Sequence, residues 1–230
     1  AAMEAVAAGP PGVSGPAGFR THLTARRLLA PDAFELSLAK PRGFTFTPGQ
    51  RVRVSCAGAE RDYSIASAPA ENLIRLCIRR VEKGTLSARL AEMAAGEGLA
   101  FSGPHGYFIF RASARQAVFV ATGTGIAPFC AMAAAGTSGF ILLHGAATEQ
   151  GLFYRDLLRD KAAAYVACLS AGPAAAPGRY AGRVTDYLQR RLPPAAYDFY
   201  LCGRQEMIRD ATLLADERFP GSLVFSETFY

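Results

Sequence analysis

The sequence lacks several features that identify whole classes of protein. No apolar run approaches the roughly 20 residues that a helix needs to cross a bilayer. The N-terminal stretch has neither the basic start nor the long apolar segment of a signal peptide, so we interpret residues 1–16 as a flexible leader. Only five cysteines occur, and none forms a C-x-x-C pair that would indicate a zinc or iron–sulfur site. Scattered thiols of this kind favour a reducing compartment, the cytoplasm.

Metal-binding and hydrolytic patterns are absent too. The three histidines, His22, His105 and His144, show no H-x-x-x-H spacing and no spacing to a carboxylate that would predict a metal site. Nothing resembles the strand–turn–helix signature of a serine nucleophile. The sequence therefore predicts no metal and no hydrolytic triad.

The composition is that of a folded chain with a basic surface. Hydrophobic residues make up 50% of the 230 residues and charged residues 19%, which is typical of a globular protein large enough for two domains. The formal net charge is +6. A positive surface suits nucleic acid, an anionic cofactor or an acidic protein, and charge by itself does not choose among them.

The hydrophobic pattern changes its period near residue 113. Before that point apolar residues alternate, as in "RVRVSC" (51–56) and "LIRLCIRRV" (73–81), which predicts an antiparallel sheet closed into a barrel over residues 17–112. After it, continuous apolar runs such as "AVFVAT" and "FILLHGA" are followed by segments with helical spacing. Strands buried on both faces and joined by helices predict a doubly wound parallel sheet over residues 113–230.

A glycine-rich turn follows the first strand of that second domain. The stretch "VFVATGTGIAPF" places Gly123, Gly125 and Pro128 between a buried strand and a helical segment. Glycines permit a sharp turn and close approach of the backbone to a ligand, and a helix start offers free N–H groups to an anion. The stretch therefore predicts a site for the pyrophosphate of a dinucleotide, although the spacing differs from G-x-G-x-x-G.

Seven motifs in order resemble the ferredoxin–NADP reductase family. The resemblance covers residues 17–230, nearly the whole chain. It rests on "RDYS" (61–64), "LCIRRV" (76–81), "KGTLS" (83–87), "GPHGYF" (103–108), "ATGTGIAP" (121–128), "YLCGRQEM" (200–207) and "ETFY" (227–230).

The resemblance implies an FAD site on the barrel. Arg61 would pair with the pyrophosphate of FAD, Tyr63 would stack on the isoalloxazine ring, and Ser64 would bind near N5 of the flavin, the atom that accepts hydride. Alternation along the strand puts residues 61 and 63 on one face. The further residues implied at this site are Cys77, Ile78, Arg79, Lys83, Gly84, Thr85, Leu86 and Ser87.

The resemblance also implies a nicotinamide site at the carboxyl edge of the parallel sheet. Cys202 would align the nicotinamide by packing rather than by acting as a nucleophile, and Glu227 would lie near the reaction centre. A terminal aromatic would cover the flavin: the spacing from Glu227 selects Phe229, whereas position at the chain end selects Tyr230. The dinucleotide-binding residues implied are Thr122, Gly123, Thr124, Gly125, Pro128, Ser170, Arg179, Arg183, Cys202, Gly203 and Met207.

The coenzyme is predicted from the end of "YVACLSAGP". Members of the family that use NADPH commonly have an arginine directly after the position of Ser170, where this chain has Ala171. Arg179 and Arg183 lie in the region where a 2′-phosphate could still be met. The missing neighbouring cation favours NADH over NADPH.

Three functions stay open at this point. The first is an FAD-dependent NAD(P)H oxidoreductase that passes single electrons to an acidic carrier such as a ferredoxin or a [2Fe–2S] subunit. The second is a reductase of free flavin, for which FAD would be a substrate. The third is a non-enzymatic module that binds a nucleotide or, through its basic strands, a nucleic acid.

Overall fold

The computed structural model describes residues 18–56, 58–81, 84–171 and 177–228. Among these residues it contains two six-stranded sheets that follow one another along the chain. The predicted leader (1–16) and three predicted site residues, Lys83, Phe229 and Tyr230, lie outside the described residues.

The first sheet is antiparallel and has the strand order β4-β3-β6-β1-β2-β5. Its two edges meet, because Ile65, directly after β4, forms a bridge with Leu76 of β5 and so closes the sheet into the predicted barrel. The elements of this half are β1 (Phe19–Ala30), β2 (Ala33–Ala39), β3 (Arg51–Cys56), β4 (Ala59–Ser64), β5 (Leu73–Arg79), α1 (Thr85–Glu92) and β6 (Gly98–His105).

Alternating side chains fill the barrel. In β3, Val52 and Val54 are fully buried while Arg53 between them is exposed, as a strand with one face in a core requires. Leu86 and Leu90 of α1 pack into the same core, which caps the barrel with a short helix. Arg51 and Arg53 are on the other face of β3, outside the barrel core.

The second sheet is parallel, with the order β10-β9-β8-β7-β11-β12. The doubly wound prediction is confirmed. Short β10, after the third strand, was missed by the sequence interpretation. The elements are β7 (Gln116–Thr122), α2 (Ala127–Ala134), β8 (Ile141–Ala146), α3 (Arg155–Lys161), β9 (Ala164–Leu169), β10 (Arg179–Ala181), α4 (Val184–Arg190), β11 (Tyr197–Gly203), α5 (Gln205–Arg218) and β12 (Leu223–Thr228).

The strand order reverses direction beside β7. From β7 the chain builds outward through β8, β9 and β10 on one side, and then returns to add β11 and β12 on the other. In sheets of this kind ligands bind in the crevice at the carboxyl ends of the strands at such a switch point. A ligand site is therefore expected at the carboxyl ends of β7 and β11.

An apolar interface joins the two halves. Ala66, Cys77 and Phe108 from the barrel side share one buried cluster with residues of α2 and β11, including Phe129 and Tyr200. Burial of this kind stabilises the relative placement of the two sheets through the hydrophobic effect. No helix in the described part of the chain has the length and apolar character of a membrane span.

The segment between β6 and β7 is fastened to β11. The N–H of Arg111 donates to the Tyr200 hydroxyl over 3.0 Å, and the Arg115 guanidinium pairs with buried Asp198 at 2.5 Å. The predicted domain boundary at Ala112 falls in this segment and stays a prediction.

Candidate functional site

The glycine-rich turn after β7 lies against the end of β11. Residues 123–126 form a turn of 3₁₀ helix that leads into α2, with Pro128 buried in its first turn. A Cβ atom added to Gly125 would lie 2.6 Å from the carbonyl carbon of Cys202 and 2.6 Å from the Cα of Gly203. Only glycine permits this approach of the two backbones. Gly125 thus lies at the crevice that the strand order predicts.

One hydrogen bond fixes the two sides of this crevice. The N–H of Arg204 donates to the Thr122 hydroxyl over 3.1 Å. Gly203 has a φ of 143°, in a region that favours glycine, and a Cβ there would lie 3.0 Å from the backbone N of Thr122. The end of β11 therefore has a fixed position relative to the end of β7.

A groove of about 890 Å³ runs along this carboxyl edge. Its size is within the range of small-molecule sites. The barrel contributes Arg79 and Asp32, whose side chains pair at 3.3 Å, and Arg79 lies close to Gly123. The predicted residues that line it are Arg79, Thr122, Gly123, Thr124, Gly125, Ser170, Arg183, Gly203 and Met207.

The sequence interpretation missed other residues that line the groove. Arg204 directly follows β11, and Thr148 and Gln150 follow β8. These three residues could have been predicted from the sequence, because ligands of such sheets bind to the residues that follow the ends of the strands.

The two predicted coenzyme-discriminating arginines are in different surroundings. Arg183 lines the groove together with Ser170. Arg179 is absent from the lining and forms an ion pair with Glu149, which also lies 3.6 Å from the Arg155 guanidinium. A carboxylate thus neutralises part of the positive charge at this end.

Ser64 and Glu227 meet where the barrel faces the parallel sheet. The Ser64 hydroxyl donates to Glu227 Oε2 over 3.2 Å, although the two residues are 163 positions apart. Both side chains are buried, with residue exposures of 4% and 7%. Burial raises the pKa of the Glu227 carboxyl above its ordinary value, because its effect exceeds the opposing influence of Arg51.

Cys202 lies next to this contact. It is opposite Glu227 in the parallel pairing of β11 and β12, and its side chain is fully buried. Burial raises the pKa of its thiol well above the ordinary value, so Cys202 stays a neutral thiol. The packing role expected for it stays a prediction. Ser64 of β4 thus contacts Glu227 of β12, which in turn is paired with Cys202 of β11 in the sheet.

A second groove, of about 960 Å³, opens on the barrel side of Glu227. Arg61, Arg53 and His105 line it beside Tyr107, which is 90% exposed. The Arg61 guanidinium is exposed and donates to the carbonyl of its neighbour Glu60 over 2.7 Å. It is therefore accessible to an anion in the groove.

Tyr63 is on the barrel face of β4. It is directly opposite Val52 of β3, while Arg61 is opposite Val54, so the two predicted residues share a face. The Tyr63 ring packs against the barrel core, and burial raises the pKa of its phenol to about 12. Ser64 is opposite Arg51 and points to the other face.

The start of α1 fits a phosphate only through its backbone. Gly84 caps the helix, where a Cβ would lie 2.9 Å from the Ser87 oxygen, and that oxygen accepts from the N–H of Val81 over 3.0 Å. Thr85 is exposed at the first helical position, and Leu86 is buried. Backbone N–H groups at a helix start and an exposed guanidinium such as that of Arg61 are both groups that bind a pyrophosphate like that of FAD.

Two predicted residues of β5 are available to a ligand only through their main chain. Cys77 and Ile78 have exposures of 5% and 1% and belong to the core. Their side chains stabilise β5 rather than face either groove. Among the described residues, no three His, Cys, Asp or Glu side chains are grouped as metal ligands.

Comparison with protein families matches both halves of the chain. Residues 21–110 match the oxidoreductase FAD-binding domain, and residues 119–212 match the oxidoreductase NAD-binding domain. The two matches cover the barrel and the parallel sheet in the order found here.

Curated relatives extend the likeness over most of the chain. Ferredoxin–NADP reductase B of Sorangium cellulosum is 35% identical in an alignment of 214 positions that covers 83% of this chain and 88% of that protein. The toluate 1,2-dioxygenase electron transfer component of Pseudomonas putida is 30% identical over 84% of this chain. This chain spans 61% of the length of that second relative.

The solved structures show the same fold. A ferredoxin NADP⁺ reductase from Neisseria gonorrhoeae with bound FAD and NADP superposes with a TM-score of 0.78 at 21% identity. The match covers 93% of this chain and 99% of that one. With both domain families matched and a 35% identical relative covered almost throughout, the chain belongs to the ferredoxin–NADP reductase superfamily of FAD- and NAD(P)-binding oxidoreductases.

Proposed function

We propose that the chain is an FAD-dependent reductase that accepts hydride from a nicotinamide dinucleotide and passes electrons singly to a separate carrier. The contact between Ser64 and Glu227 carries the proposal, because it brings the barrel motif to the switch-point crevice. FAD supplies the step between two-electron and one-electron chemistry. The chain supplies the binding groups and their orientation.

We propose a role for each residue that its placement supports. Arg61 and the backbone at the start of α1 would hold the pyrophosphate of FAD. The contact of Tyr63 with the isoalloxazine ring rests on the resemblance, since its ring packs against the barrel core and does not line the groove beside Arg61. Ser64 would donate or accept a hydrogen bond at the reacting edge of the flavin. Cys202 would support the nicotinamide site by packing, since its side chain is buried in the apolar cluster and its backbone lies against Gly125.

The retention of FAD separates this proposal from a free-flavin reductase. FAD that is a cofactor should stay with the protein through gel filtration at near one equivalent. FAD that is a substrate should be lost and should show saturation kinetics as it is added back. The second result would replace the proposal with the free-flavin alternative.

We propose NADH as the preferred coenzyme. Ser170 is followed by Ala171, and Arg179 is ion-paired with Glu149, so of the two arginines predicted to meet a 2′-phosphate Arg183 is the one that lines the groove. A phosphate would have to compete with the Glu149 carboxylate for Arg179. This competition supports discrimination against NADPH.

Replacing Glu149 by glutamine is expected to raise kcat/KM for NADPH relative to NADH by about tenfold, because Arg179 gains freedom to bind a 2′-phosphate. Steady-state kinetics with both coenzymes measure the ratio. The matched control is Glu217→Gln, which removes an exposed carboxylate from α5 away from the groove lining. Equal ratios in both variants would show that Glu149 has no part in the choice. A wild-type kcat/KM that is higher for NADPH would overturn the preference for NADH.

An acidic one-electron protein is the proposed acceptor. The net charge of the chain is +6. Relatives named as ferredoxin reductases and as a dioxygenase electron transfer component support a ferredoxin or a [2Fe–2S] subunit. The five free cysteines support the reducing cytoplasm as the place where the chain works.

The rate of electron transfer to an acidic ferredoxin is expected to fall by about tenfold or more as ionic strength rises from low to near-physiological values, because salt screens the attraction that speeds encounter. Stopped-flow oxidation of the reduced protein by ferredoxin provides the rate. An uncharged quinone is the control, and its rate should be nearly independent of salt. Equal salt dependence for both acceptors would contradict an electrostatically guided partner.

A further inference from the structure

Arg51, the first residue of β3, contacts both halves of the chain. Its Nη1 forms an ion pair with Glu227 Oε1, 176 positions away. Its Nε binds Asp62 Oδ2 of neighbouring β4 at 3.0 Å. The guanidinium is therefore held by two carboxylates, one from the barrel and one from β12, and neither the glycine motif nor the barrel motif contains it.

We infer that Arg51 is a positioning residue that holds the Glu227 carboxylate against Ser64 at the contact between the barrel and the parallel sheet. Glu227 has one oxygen on each partner: Oε1 pairs with Arg51, and Oε2 accepts from Ser64. A carboxylate bound through both oxygens has one orientation. The inference rests on the proposed function, since it assigns to Arg51 the placement of a group at the proposed reaction centre.

The backbone at Gly106 packs closely against the ion pair of Arg51 with Glu227. A Cβ atom on Gly106 would lie 2.6 Å from Arg51 Nη1 and 3.1 Å from Glu227 Oε1. Gly106 has a φ of 89°, which also favours glycine. The turn after β6 thus covers the ion pair closely because it has no side chain at that position.

The charges around Glu227 make Arg51 the main source of compensation for its burial. Arg51 from β3 and the Ser64 hydroxyl from β4 lower the pKa of Glu227, whereas burial and the Asp62 carboxylate raise it. The other titratable neighbours are the Cys202 thiol on β11 and His105 on β6, which lines the adjoining groove. Without Arg51 the partner of the buried carboxylate among the described residues would be the Ser64 hydroxyl, which favours protonation of the carboxylate or its movement toward solvent.

Arg53 provides a matched control on the same strand. It binds the same Asp62 carboxylate, through Nε at 2.7 Å and Nη2 at 3.1 Å. It is half-exposed and has no described contact with Glu227. Arg53→Gln therefore removes the same charge and one partner of Asp62 but leaves the Glu227 contact in place.

The test compares Arg51→Gln, Arg51→Lys and Arg53→Gln in the FAD-loaded protein with two measurements. Carbon-13 NMR of glutamate carboxyls follows the titration of Glu227, whose signal is identified by its loss in Glu227→Gln. Anaerobic stopped-flow measures flavin reduction by NADH. For Arg51→Gln we expect the Glu227 titration to move to higher pH and the limiting reduction rate to fall about tenfold with smaller change in coenzyme affinity.

Arg53→Gln should keep the Glu227 titration of the wild type, because Arg53 has no described contact with Glu227, and Arg51→Lys should hold the titration near that of the wild type because the charge remains. An equal shift of the Glu227 titration in Arg51→Gln and Arg53→Gln would overturn the inference, as would a moved titration in Arg51→Gln with an unchanged reduction rate. If neither coenzyme reduced the wild-type flavin, the proposed function would fail, whereas the NMR titration would still decide whether Arg51 controls Glu227.

Discussion

Replacing Ser64 by alanine is expected to slow the reduction of bound FAD by NADH by about 10- to 1000-fold, the range for loss of one aligned polar contact in a transition state. The residue is 4% exposed and its hydroxyl faces Glu227, so alanine removes a directed hydrogen bond without opening the site. FAD should be retained, because the proposed pyrophosphate contacts lie elsewhere. Single-turnover reduction under anaerobic conditions measures the effect.

Ser67→Ala is the matched control for this substitution. Ser67 lies three positions further along the chain and is fully buried, and its hydroxyl oxygen accepts from the N–H of Arg75 over 3.1 Å. Removing it costs a comparable buried hydrogen bond that does not face the proposed reaction centre. Reduction of the Ser64→Ala protein at the rate of the Ser67→Ala protein would contradict the role proposed for Ser64.

Replacing Gly125 by alanine is expected to lower the affinity for the nicotinamide dinucleotide by at least about tenfold, equivalent to about 1.4 kcal/mol. The added methyl group would lie 2.6 Å from backbone atoms of both Cys202 and Gly203, which no rotation of a side chain can relieve. The ends of β7 and β11 would have to separate. We also expect the free energy of unfolding to fall by about 1 to 3 kcal/mol, as overpacking typically costs.

Titration of coenzyme binding and urea unfolding measure these two effects. Gly98→Ala is the control, since a Cβ at that position would meet only the Thr21 carbonyl, at 3.9 Å. It should leave coenzyme affinity unchanged. Unaltered affinity in Gly125→Ala would show that the crevice tolerates a wider separation and that the close approach has no binding role.

Much of the fold is predictable from hydrophobic period alone. "RVRVSC" alternates because one face of β3 fills the barrel, whereas "AVFVAT" is apolar throughout because β7 is in the middle of a sheet covered on both faces. Strand β10 was not predictable in this way. It has three residues, and pairing with β9 rather than a periodic pattern defines it.

Part of the candidate site was also predictable from the sequence. The glycine-rich turn is local, so its strand–loop–helix setting can be read from consecutive residues. The ion pair of Arg51 with Glu227 joins residues 176 positions apart, and that of Arg179 with Glu149 depends on where β10 meets the 3₁₀ turn that follows β8. Contacts of this kind arise from the tertiary fold and leave no mark in the spacing of either residue.

The most direct test of the central claim is the anaerobic mixing of the FAD-loaded protein with NADH while the visible absorbance of the flavin is followed. We expect rapid bleaching of the flavin, followed by recovery of its absorbance when oxidised ferredoxin is added and is itself reduced. A flavin that stays oxidised with both NADH and NADPH would contradict the claim that this chain is a nicotinamide-dependent flavoprotein reductase.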